Sequence, residues 1–188
     1  MEYIKIEDTS CRLWKETEQI MSESFPIHEL RTGKARDRVA QDPAFYPVAV
    51  RKNEETVAAI YSWELNGLIY IEHFAVRKDM RGRGTGSNAL KGFISGREIL
   101  LEIEPPVDEI KIKRLNFYQR LGFVRTGISF MHPSFVKDAA PYPLEVLTYP
   151  ERISPEGFHA FRREFDERIC LYTDKKNIRM TGITGIEL

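Results

Sequence analysis

The segment Arg81-Gly82-Arg83-Gly84-Thr85-Gly86, followed by Ser87, combines glycines and arginines immediately ahead of a helical pattern. Glycines allow the backbone to wrap closely around an anion. A helix N-terminus adds unpaired N–H groups and a partial positive charge, and arginines add charge-assisted donors. These residue types in this order predict a cradle for a diphosphate group.

Other interpretations of this segment stay open, and a Gly-x-Gly-x-Gly stretch by itself is often only a turn. It is not a P-loop, because no Gly-Lys-Ser/Thr follows at the required spacing. The dinucleotide fingerprint should follow the first strand of a βαβ unit, whereas this segment follows the fourth predicted strand. An RNA-binding Arg-Gly segment is a further alternative, although such segments are usually longer, repeated and disordered.

An acidic side chain in an apolar strand, Glu72, is a candidate general base. Strand alternation predicts that it shares a face with Phe74, while His73 points to the opposite face as a satisfied core histidine. A carboxylate among apolar neighbours is unfavourable unless it is paired or used, and a raised pKa would suit it to proton abstraction. The alternative is a structural pair with an arginine or a loop cap.

Two further acids and one tyrosine follow in the chain. Glu102 and Glu104 share a face of the next predicted strand, where they could form an acidic wall that attracts a cation, or Glu104 could face solvent. Glu102 is therefore a second candidate base or substrate contact. Tyr118 is either a proton donor, since a phenol stays neutral at pH 7, or an aromatic core residue beside Phe117 and Leu121.

The elements that must position these groups follow from hydrophobic periodicity and turn residues. Asn66-Gly67 predicts a hairpin, and the strand after it is apolar on both faces, which indicates a central strand. We predict strands at 3–6, 46–51, 56–65, 68–76, 98–104, 123–130 and 144–149, and helices at 10–25, 28–40, 84–95, 108–121 and 154–171, with the tail beyond unassigned.

This element order predicts an α/β (α+β layered) fold with a mixed, mostly antiparallel central sheet flanked by helices and a C-terminal helical extension. We expect one domain over residues 1–150, with residues 151–188 forming a helix and tail packed on the same domain. The chain has 188 residues with 28 basic and 28 acidic side chains, so no global field attracts nucleic acid or anionic lipid. Cys11 and Cys170 match no metal spacing, and no leader segment or spanning stretch is recognised, so a cytoplasmic location is expected.

The chain resembles the GNAT superfamily, the GCN5-related N-acetyltransferases. Arg81-Gly82-Arg83-Gly84-Thr85-Gly86 matches that family's phosphate motif, Glu72-His73-Phe74-Ala75-Val76 is similar to its fourth strand, and Asn116-Phe117-Tyr118-Gln119-Arg120-Leu121-Gly122-Phe123 is similar to its second motif. The element order agrees over residues 3–149. Lys111 and Arg114 depart from the family's usual Asn and Ala at those positions.

The resemblance implies an acetyl-CoA-dependent N-acetyltransferase that transfers the acetyl group directly to a primary amine, with acetyl-CoA as co-substrate and no metal. It implies that the fourth and fifth strands splay apart, that Glu72 acts as the base and that Tyr118 protonates the leaving thiolate. By the same resemblance, the cofactor-binding residues are Phe74, Ala75, Val76, Arg81, Gly82, Arg83, Gly84, Thr85, Gly86 and Ser87.

The acceptor is not identified by these motifs. In the family its pocket is built from segments that correspond here to residues 25–31 and 130–135, and both could equally be plain packing. A small amine, an amino-acid derivative, an aminoglycoside-like molecule and a protein N-terminus remain open, with a small-molecule amine preferred. Nucleic-acid and membrane partners are not expected, and a homodimer is considered. The alternative function is a non-catalytic acyl-CoA-binding module that senses its ligand.

Overall fold

A computed structural model of the chain describes residues 1–136, 139–173, 175 and 178–186. Over these residues it contains one eight-stranded sheet in the order β1-β2-β3-β4-β5-β7-β6-β8. The strands are β1 (Glu2–Lys5), β2 (Phe45–Lys52), β3 (Glu55–Leu65), β4 (Leu68–Val76), β5 (Glu98–Ile103), β6 (Val124–His132), β7 (Tyr142–Tyr149) and β8 (Thr181–Thr184). The helices are α1 (Arg12–Ser22), α2 (Gly33–Val39), α3 (Thr85–Ile94), α4 (Glu109–Arg120) and α5 (Pro155–Glu167).

Helices cover both faces of the sheet and bury a separate apolar cluster on each. On one face, Trp14 of α1, Val39 of α2 and Phe161 of α5 pack against Trp63 and other strand residues. On the other face, α3 and α4 pack against strand residues that include Ile60 and Ile71. The pairs along the sheet are antiparallel except for β4 with β5, so the predicted mixed and mostly antiparallel sheet is confirmed.

Strands β4 and β5 separate part of the way along their length. Their parallel pairing runs from Leu68 opposite Glu98 to Ile71 opposite Leu101, and no pairing beyond it is found among the described residues. Each strand nevertheless continues on its other side, β4 against β3 as far as Val76 and β5 against β7. The facing edges beyond Ile71 therefore keep backbone N–H and C=O groups that require partners from elsewhere.

A β-bulge at Glu72 changes the direction of the side chains that follow it. Ile71 lies opposite Ser62 and His73 lies opposite Tyr61, so Glu72 is the extra residue. The prediction that Glu72 shares a face with Phe74 is therefore wrong. Phe74 stacks on Phe117 at 6.4 Å between ring centroids.

The prediction that His73 points away from Glu72 is wrong for the same reason. Glu72 and His73 lie on the α1 and α5 side of the sheet, with 3.8 Å between Glu72 Oε2 and His73 Nδ1. The extra residue restarts the alternation, so two consecutive side chains reach the same face.

The predicted helix over residues 28–40 is confirmed only over Gly33–Val39, and its first five residues are not α-helical. The chain forms a short 3₁₀ turn (Ile27–Glu29), runs extended from Leu30 to Thr32, and enters α2 only at Gly33, whose φ is 51°. The extended stretch turns the side chain of Arg31 into the interior, where 5% of it is exposed.

The C-terminal segment packs against the α1 side of the sheet. Ser154 caps α5 by accepting a hydrogen bond from Gly157 N at 3.1 Å, and a 3₁₀ turn (Ile169–Leu171) follows the helix. The unassigned tail contributes β8, which pairs with β6. Part of that tail, residues 174, 176, 177, 187 and 188, lies outside the described residues, as do residues 137 and 138. Within the described chain, no helix is both long and apolar enough to cross a membrane.

Candidate active site

The glycine-rich segment forms an open helix N-terminus at the end of β4. Gly82 and Gly84 have φ values of 74° and 76°, a backbone conformation that favours glycine, and Gly84 is the N-cap of the ten-residue helix α3. A Cβ built on Gly86 would lie 3.2 Å from Val76 Cγ2, so the backbone here passes close to β4. This geometry leaves N–H groups directed outward and fits the predicted anion cradle.

A cleft of about 560 Å³ extends from this segment along the separated edge of β4. Its walls include eight of the ten predicted cofactor-binding residues: Phe74, Ala75, Val76, Arg81, Gly82, Gly84, Gly86 and Ser87. Arg83 is exposed and Thr85 is buried, and neither lines the cleft. All ten assignments to cofactor binding stay predictions.

Arg81 connects the loop to two other elements. Its Nε donates to Val76 O at 2.9 Å, and one terminal nitrogen donates to Ser24 Oγ at 2.7 Å. The guanidinium therefore holds the end of β4 against the segment that follows α1. This residue positions the loop as well as carrying charge toward the cleft.

Tyr118 lies in the wall of the cleft opposite β4. Its ring contacts Phe117 and Phe123, with centroid distances of 5.1 and 5.5 Å. Burial raises the pKa of Tyr118 to about 12, so the phenol carries its proton at neutral pH. The tyrosine is thus packed among aromatic residues in the cleft wall and neutral at pH 7, and its role as a proton donor stays a prediction.

Glu72 forms a buried ion pair with Arg31. Arg31 donates from its NH1 nitrogen to Glu72 Oε2 at 2.5 Å, and 3% of the glutamate side chain is exposed. Arg31 also donates to Tyr172 O at 3.0 Å and Ile169 O at 3.3 Å. Burial by itself favours a higher pKa for Glu72, but the Arg31 guanidinium outweighs it and the pKa is lowered. The expectation of a raised pKa at Glu72 is therefore wrong.

Glu102 is the carboxyl with the raised pKa. Its Oε2 accepts a hydrogen bond from Tyr70 Oη at 3.0 Å, and His132 Nε2 lies 3.8 Å from the same oxygen. Burial raises the pKa of Glu102 to about 8, although the Tyr70 hydrogen bond acts in the opposite direction. A pKa near the working pH is suited to general acid–base chemistry.

Two buried histidines complete the group. His73 Nε2 lies 3.1 Å from Glu29 O, and burial lowers the pKa of this histidine. Burial lowers the pKa of His132 to about 3. Both imidazoles are therefore neutral at pH 7, and the Nδ1 atom of each is buried without a hydrogen-bond partner among the described residues. His73 is a buried histidine, as predicted, but one of its nitrogens is unsatisfied.

These side chains surround a second space, which we call the polar cavity. It has a volume of about 70 Å³. It lies where β4 and β5 separate, on the face of the sheet that α5 covers, beside the 3₁₀ turn at Ile27–Glu29. Glu72 and Glu102 line both the polar cavity and the cleft, so the two spaces meet at these carboxyl groups. Its lining also includes Phe25, Glu29, Tyr70, His73, Ile103, Glu104, Arg114, His132, Phe135, Tyr142 and Leu144.

Glu102 and Glu104, the predicted acidic wall, both line the polar cavity, but they have different partners. Glu104 follows the end of β5 and pairs with Lys111 Nζ at 3.1 Å and with Arg114 at 2.8 Å. Glu102 instead points into the interior. Lys111 and Arg114, the two departures from the family pattern, are therefore both ion-paired with Glu104.

Four residues of this site were not singled out from the sequence: Arg31, Tyr70, His132 and Tyr142. Arg31 and His132 do lie in the two segments predicted to build the acceptor pocket. The charged surroundings of Arg31 are typical of a solvent-facing helix, and no local pattern indicates its partner 41 residues away. Within the described residues, no cluster of three or more His, Cys, Asp or Glu side chains is arranged to hold a metal ion.

Comparison with known proteins adds independent information. The model of the acetyltransferase (GNAT) family matches residues 12–123. The YjbC protein of Bacillus subtilis (strain 168), whose name describes it as an acetyltransferase, is 29% identical over 162 residues, which cover 83% of this chain and 82% of that protein.

Solved structures show the same fold. A GNAT-family structure from Bacteroides thetaiotaomicron, also named as an acetyltransferase, superposes with a TM-score of 0.83 at 23% identity and covers 90% of this chain and 98% of its own. The structure of Arabidopsis thaliana NAA60 in complex with acetyl-CoA has a TM-score of 0.55 at 17% identity and covers 79% and 97%. The family model spans both the glycine loop and the Tyr118 helix that build the cleft, and the chain belongs to the GNAT acetyltransferase family.

Proposed function

We propose that this protein is an acetyl-CoA-dependent N-acetyltransferase that acts on a primary amine of a small molecule. The observation that carries the proposal is the meeting of two spaces at Glu72 and Glu102. One space ends at an open helix N-terminus suited to a diphosphate, and the other is lined by buried acid–base groups. A module that only senses acyl-CoA would need the first space and not the second.

The cleft fits acetyl-CoA by its own geometry. The N–H groups at the start of α3 would hold the diphosphate, and the unpaired edge of β4 around Phe74–Val76 would hydrogen-bond the pantetheine arm as an added strand. When bound, acetyl-CoA supplies an activated thioester: a C–N bond forms to the amine, the C–S bond breaks, and the thiol is released. A backbone N–H of β4 near Phe74 or Ala75 would donate toward the thioester oxygen, where negative charge develops.

Side chains around the cleft would remove a proton from the amine and give one to the departing sulfur. A primary alkyl amine has a pKa of about 10, so it arrives mostly as an ammonium and must lose a proton before its nitrogen can attack. Glu72 and Glu102 both lie where the two spaces meet, and either carboxylate could assist as a general base. Tyr118, neutral in the cleft wall, would donate a proton to the departing sulfur and regain one from the nitrogen by way of solvent.

Calorimetry with acetyl-CoA, followed by assays of thiol release over a panel of amines, tests the proposal. We expect acetyl-CoA to bind, at least one small primary amine to be acetylated, and Tyr118→Phe to lower kcat by about 10²-fold while acetyl-CoA still binds. A protein that does not bind acetyl-CoA would contradict the proposal. Binding without turnover on any amine would favour the sensing alternative.

A further inference from the structure

The polar cavity contains hydrogen-bonding atoms without partners. Among the described residues, seven buried side-chain nitrogen or oxygen atoms lack a hydrogen bond, and four of them belong to side chains that line this cavity: Glu72 Oε1, His73 Nδ1, Glu102 Oε1 and His132 Nδ1. Leaving a buried polar group unsatisfied costs about 1–3 kcal/mol. Four such atoms around one small space indicate that the space is built to receive a polar group.

At least three of these atoms can accept a hydrogen bond. His73 Nε2 faces the Glu29 carbonyl oxygen, which only accepts, so Nε2 carries the proton and Nδ1 of the neutral ring is an acceptor. Glu72 Oε1 is the free oxygen of a carboxylate whose other oxygen accepts from Arg31. Glu102 Oε1 is likewise free while Oε2 accepts from Tyr70. The matching ligand is a compact group with several N–H donors, and an ammonium has three.

The surroundings of the cavity favour a cation at its mouth and a narrow group inside it. At the mouth, the Glu29 side chain is 25% exposed and lies 3.8 Å from His28 Nε2, and Arg114, which also lines the cavity, is paired with Glu104 at 2.8 Å. The inner walls are the rings of Tyr70, Phe135 and Tyr142. A space of about 70 Å³ holds roughly two water-sized groups at about 30 Å³ each. The ligand group that enters must therefore be slender.

We propose that the polar cavity receives the acceptor's reacting amine as a primary ammonium on an unbranched carbon, and that Glu102 takes its proton. The inference rests on the proposed function and narrows its substrate class to amines that end in –CH₂–NH₃⁺. An amino acid's α-amino group and a protein N-terminus are disfavoured, because the carbon that bears their nitrogen is branched at every residue except glycine.

The proton balance of the step is simple. The ammonium N–H bond breaks, its proton passes to the ionised Glu102 carboxylate, and the nitrogen keeps the electron pair with which it attacks the thioester carbon. Glu102 then returns the proton to solvent. Glu72 acts as a positioning residue: it is held ionised by Arg31 and accepts one N–H of the same group without taking a proton.

The titration of Glu102 should report the arrival of a cation. When no cation is bound, burial favours the protonated carboxyl, and a bound ammonium favours the ionised form, so its pKa should fall on binding. Of the groups around it, Tyr70 and Glu72 act on its pKa directly. The other titratable or charged groups that line the polar cavity are Glu29 of the 3₁₀ turn, His73 of β4, Glu104 after β5, Arg114 of α4, His132 of β6 and Tyr142 of β7.

Carbon-13 NMR of protein labelled at glutamate carboxyl groups gives a test that does not depend on turnover. We expect one carboxyl to titrate near pH 8 and to disappear in Glu102→Gln but not in Glu98→Gln, an exposed acid on the same strand. n-Propylammonium chloride should lower that midpoint, and 1-propanol should leave it unchanged. A midpoint that neither ligand shifts, or that both shift equally, would overturn the inference.

Kinetics separate the base from a merely structural carboxyl. For n-propylamine, kcat/KM of the parent protein and of Glu98→Gln should rise with pH and level off above about 8. Glu102→Gln should lower kcat/KM at pH 8 by about 10²- to 10⁴-fold, and its residual rate should keep rising toward pH 10 with the fraction of free amine. A Glu102→Gln profile that levels off at the same pH as the parent profile would overturn the assignment.

The shape of the amine tests whether the substrate class is limited to amines with an unbranched carbon next to the nitrogen. Isopropylamine, branched at the carbon that bears nitrogen, should show at least about 10-fold lower kcat/KM than n-propylamine. Equal values would overturn the unbranched class while leaving the acetyltransferase proposal in place. If acetyl-CoA binds but no amine of any shape is acetylated, the proposed function fails first.

Discussion

At the residue scale, Glu72 and Glu102 lie on adjacent strands in surroundings that move their pKa values in opposite directions. Arg31 keeps Glu72 ionised, whereas burial without a cationic partner keeps Glu102 protonated up to a pH of about 8. Pairs of acids whose environments separate their pKa values are a recurrent basis for distinct catalytic roles. This separation supports the proposal that Glu72 holds the ammonium group of the acceptor and that Glu102 takes its proton.

Removing Arg31 should destabilise the fold. Arg31→Met leaves Glu72 as a buried carboxylate without its partner, and breaking a buried ion pair in this way costs about 3–5 kcal/mol. Chemical denaturation measures the loss in the free energy of unfolding. Arg12→Met, which removes an exposed i,i+4 pair with Glu16, is the control and should change that free energy by less than about 0.5 kcal/mol. Equal effects of the two substitutions would contradict the buried pair.

The pH dependence of stability should carry the signature of Glu102. Because its pKa rises from 4.5 unfolded to about 8 folded, the native state holds a proton that the unfolded state lacks between these values. The free energy of unfolding should therefore fall as pH rises through this window. His132 has the opposite sign: its folded pKa of about 3 removes stability as pH falls below about 6.5.

Urea denaturation at several pH values between about 6.5 and 9 isolates the glutamate, because this range lies above the histidine's window. The parent protein and Glu98→Gln should lose stability up to a pH of about 8, while Glu102→Gln should show a flatter profile. Parallel profiles for the parent protein and Glu102→Gln would contradict the raised pKa.

The identities of several site residues followed from the sequence, but their pairings did not. Glu72, Glu102 and Tyr118 could be selected because an acid or a phenol in an apolar or motif context is unusual. The orientation of Glu72 depends on a bulge, and strand alternation alone gives no sign of an extra residue. Arg31 could not be selected because it precedes a strongly charged stretch. It donates hydrogen bonds to residues more than 130 positions away in the chain.

At the element scale, the site depends on two irregularities in β4. The bulge at Glu72 turns two consecutive side chains toward one face, and the separation from β5 opens the edge immediately beyond it. The segment over 28–40 shows a limit of sequence patterns: its composition suits a helix throughout, but only Gly33–Val39 is α-helical. Leu30 and Thr32 are extended, and the Arg31 side chain between them is buried against a distant partner. The hairpin at Asn66-Gly67 and the helix after the glycine loop were predictable, because local turn and capping chemistry decides them.

Gly84 of the glycine-rich segment and Gly96, which follows α3, offer a matched pair of substitutions. Gly84 and Gly96 have similar positive φ values of 76° and 72°, and an added Cβ would have no neighbour within 4 Å at either position. Gly84→Ala and Gly96→Ala should therefore destabilise the protein to a similar extent, by about 1–2 kcal/mol. Only Gly84→Ala should weaken acetyl-CoA binding, by at least about 10-fold in calorimetry, because relaxation of its backbone moves the N–H groups of α3. Equal affinity in the two variants would contradict the cradle.

At the scale of the whole molecule, the C-terminal segment packs against Tyr70 and Arg31, two residues that hold the carboxyl groups of the site. Phe161 of α5 packs on Tyr70 at a centroid distance of 5.1 Å, and Tyr70 holds Glu102. The turn after α5 supplies the carbonyl oxygens that hold Arg31. We therefore propose that residues 151–188 are an integral part of the acetyltransferase domain.

Phe161→Ala should lower the free energy of unfolding by about 3–5 kcal/mol, since it empties a site where the ring is almost fully buried. It should also alter the pH profile of kcat/KM, because Tyr70 loses a wall of its pocket. Leu171→Ala, on a side chain that is 64% exposed, is the control and should change neither quantity appreciably. Denaturation and kinetics that give the same values for both variants would show that α5 does not support the site.

Identification of the reaction product tests whether this protein transfers acetyl groups to a small primary amine, as we propose. Purified protein is incubated with acetyl-CoA labelled with carbon-13 in the acetyl group and with n-propylamine, and the mixture is analysed by mass spectrometry. We expect labelled N-propylacetamide in amounts equal to the free thiol released, and a rate at least about 10²-fold lower with Glu102→Gln. Thiol release without labelled amide, or labelled amide at equal rates with and without the protein, would contradict it.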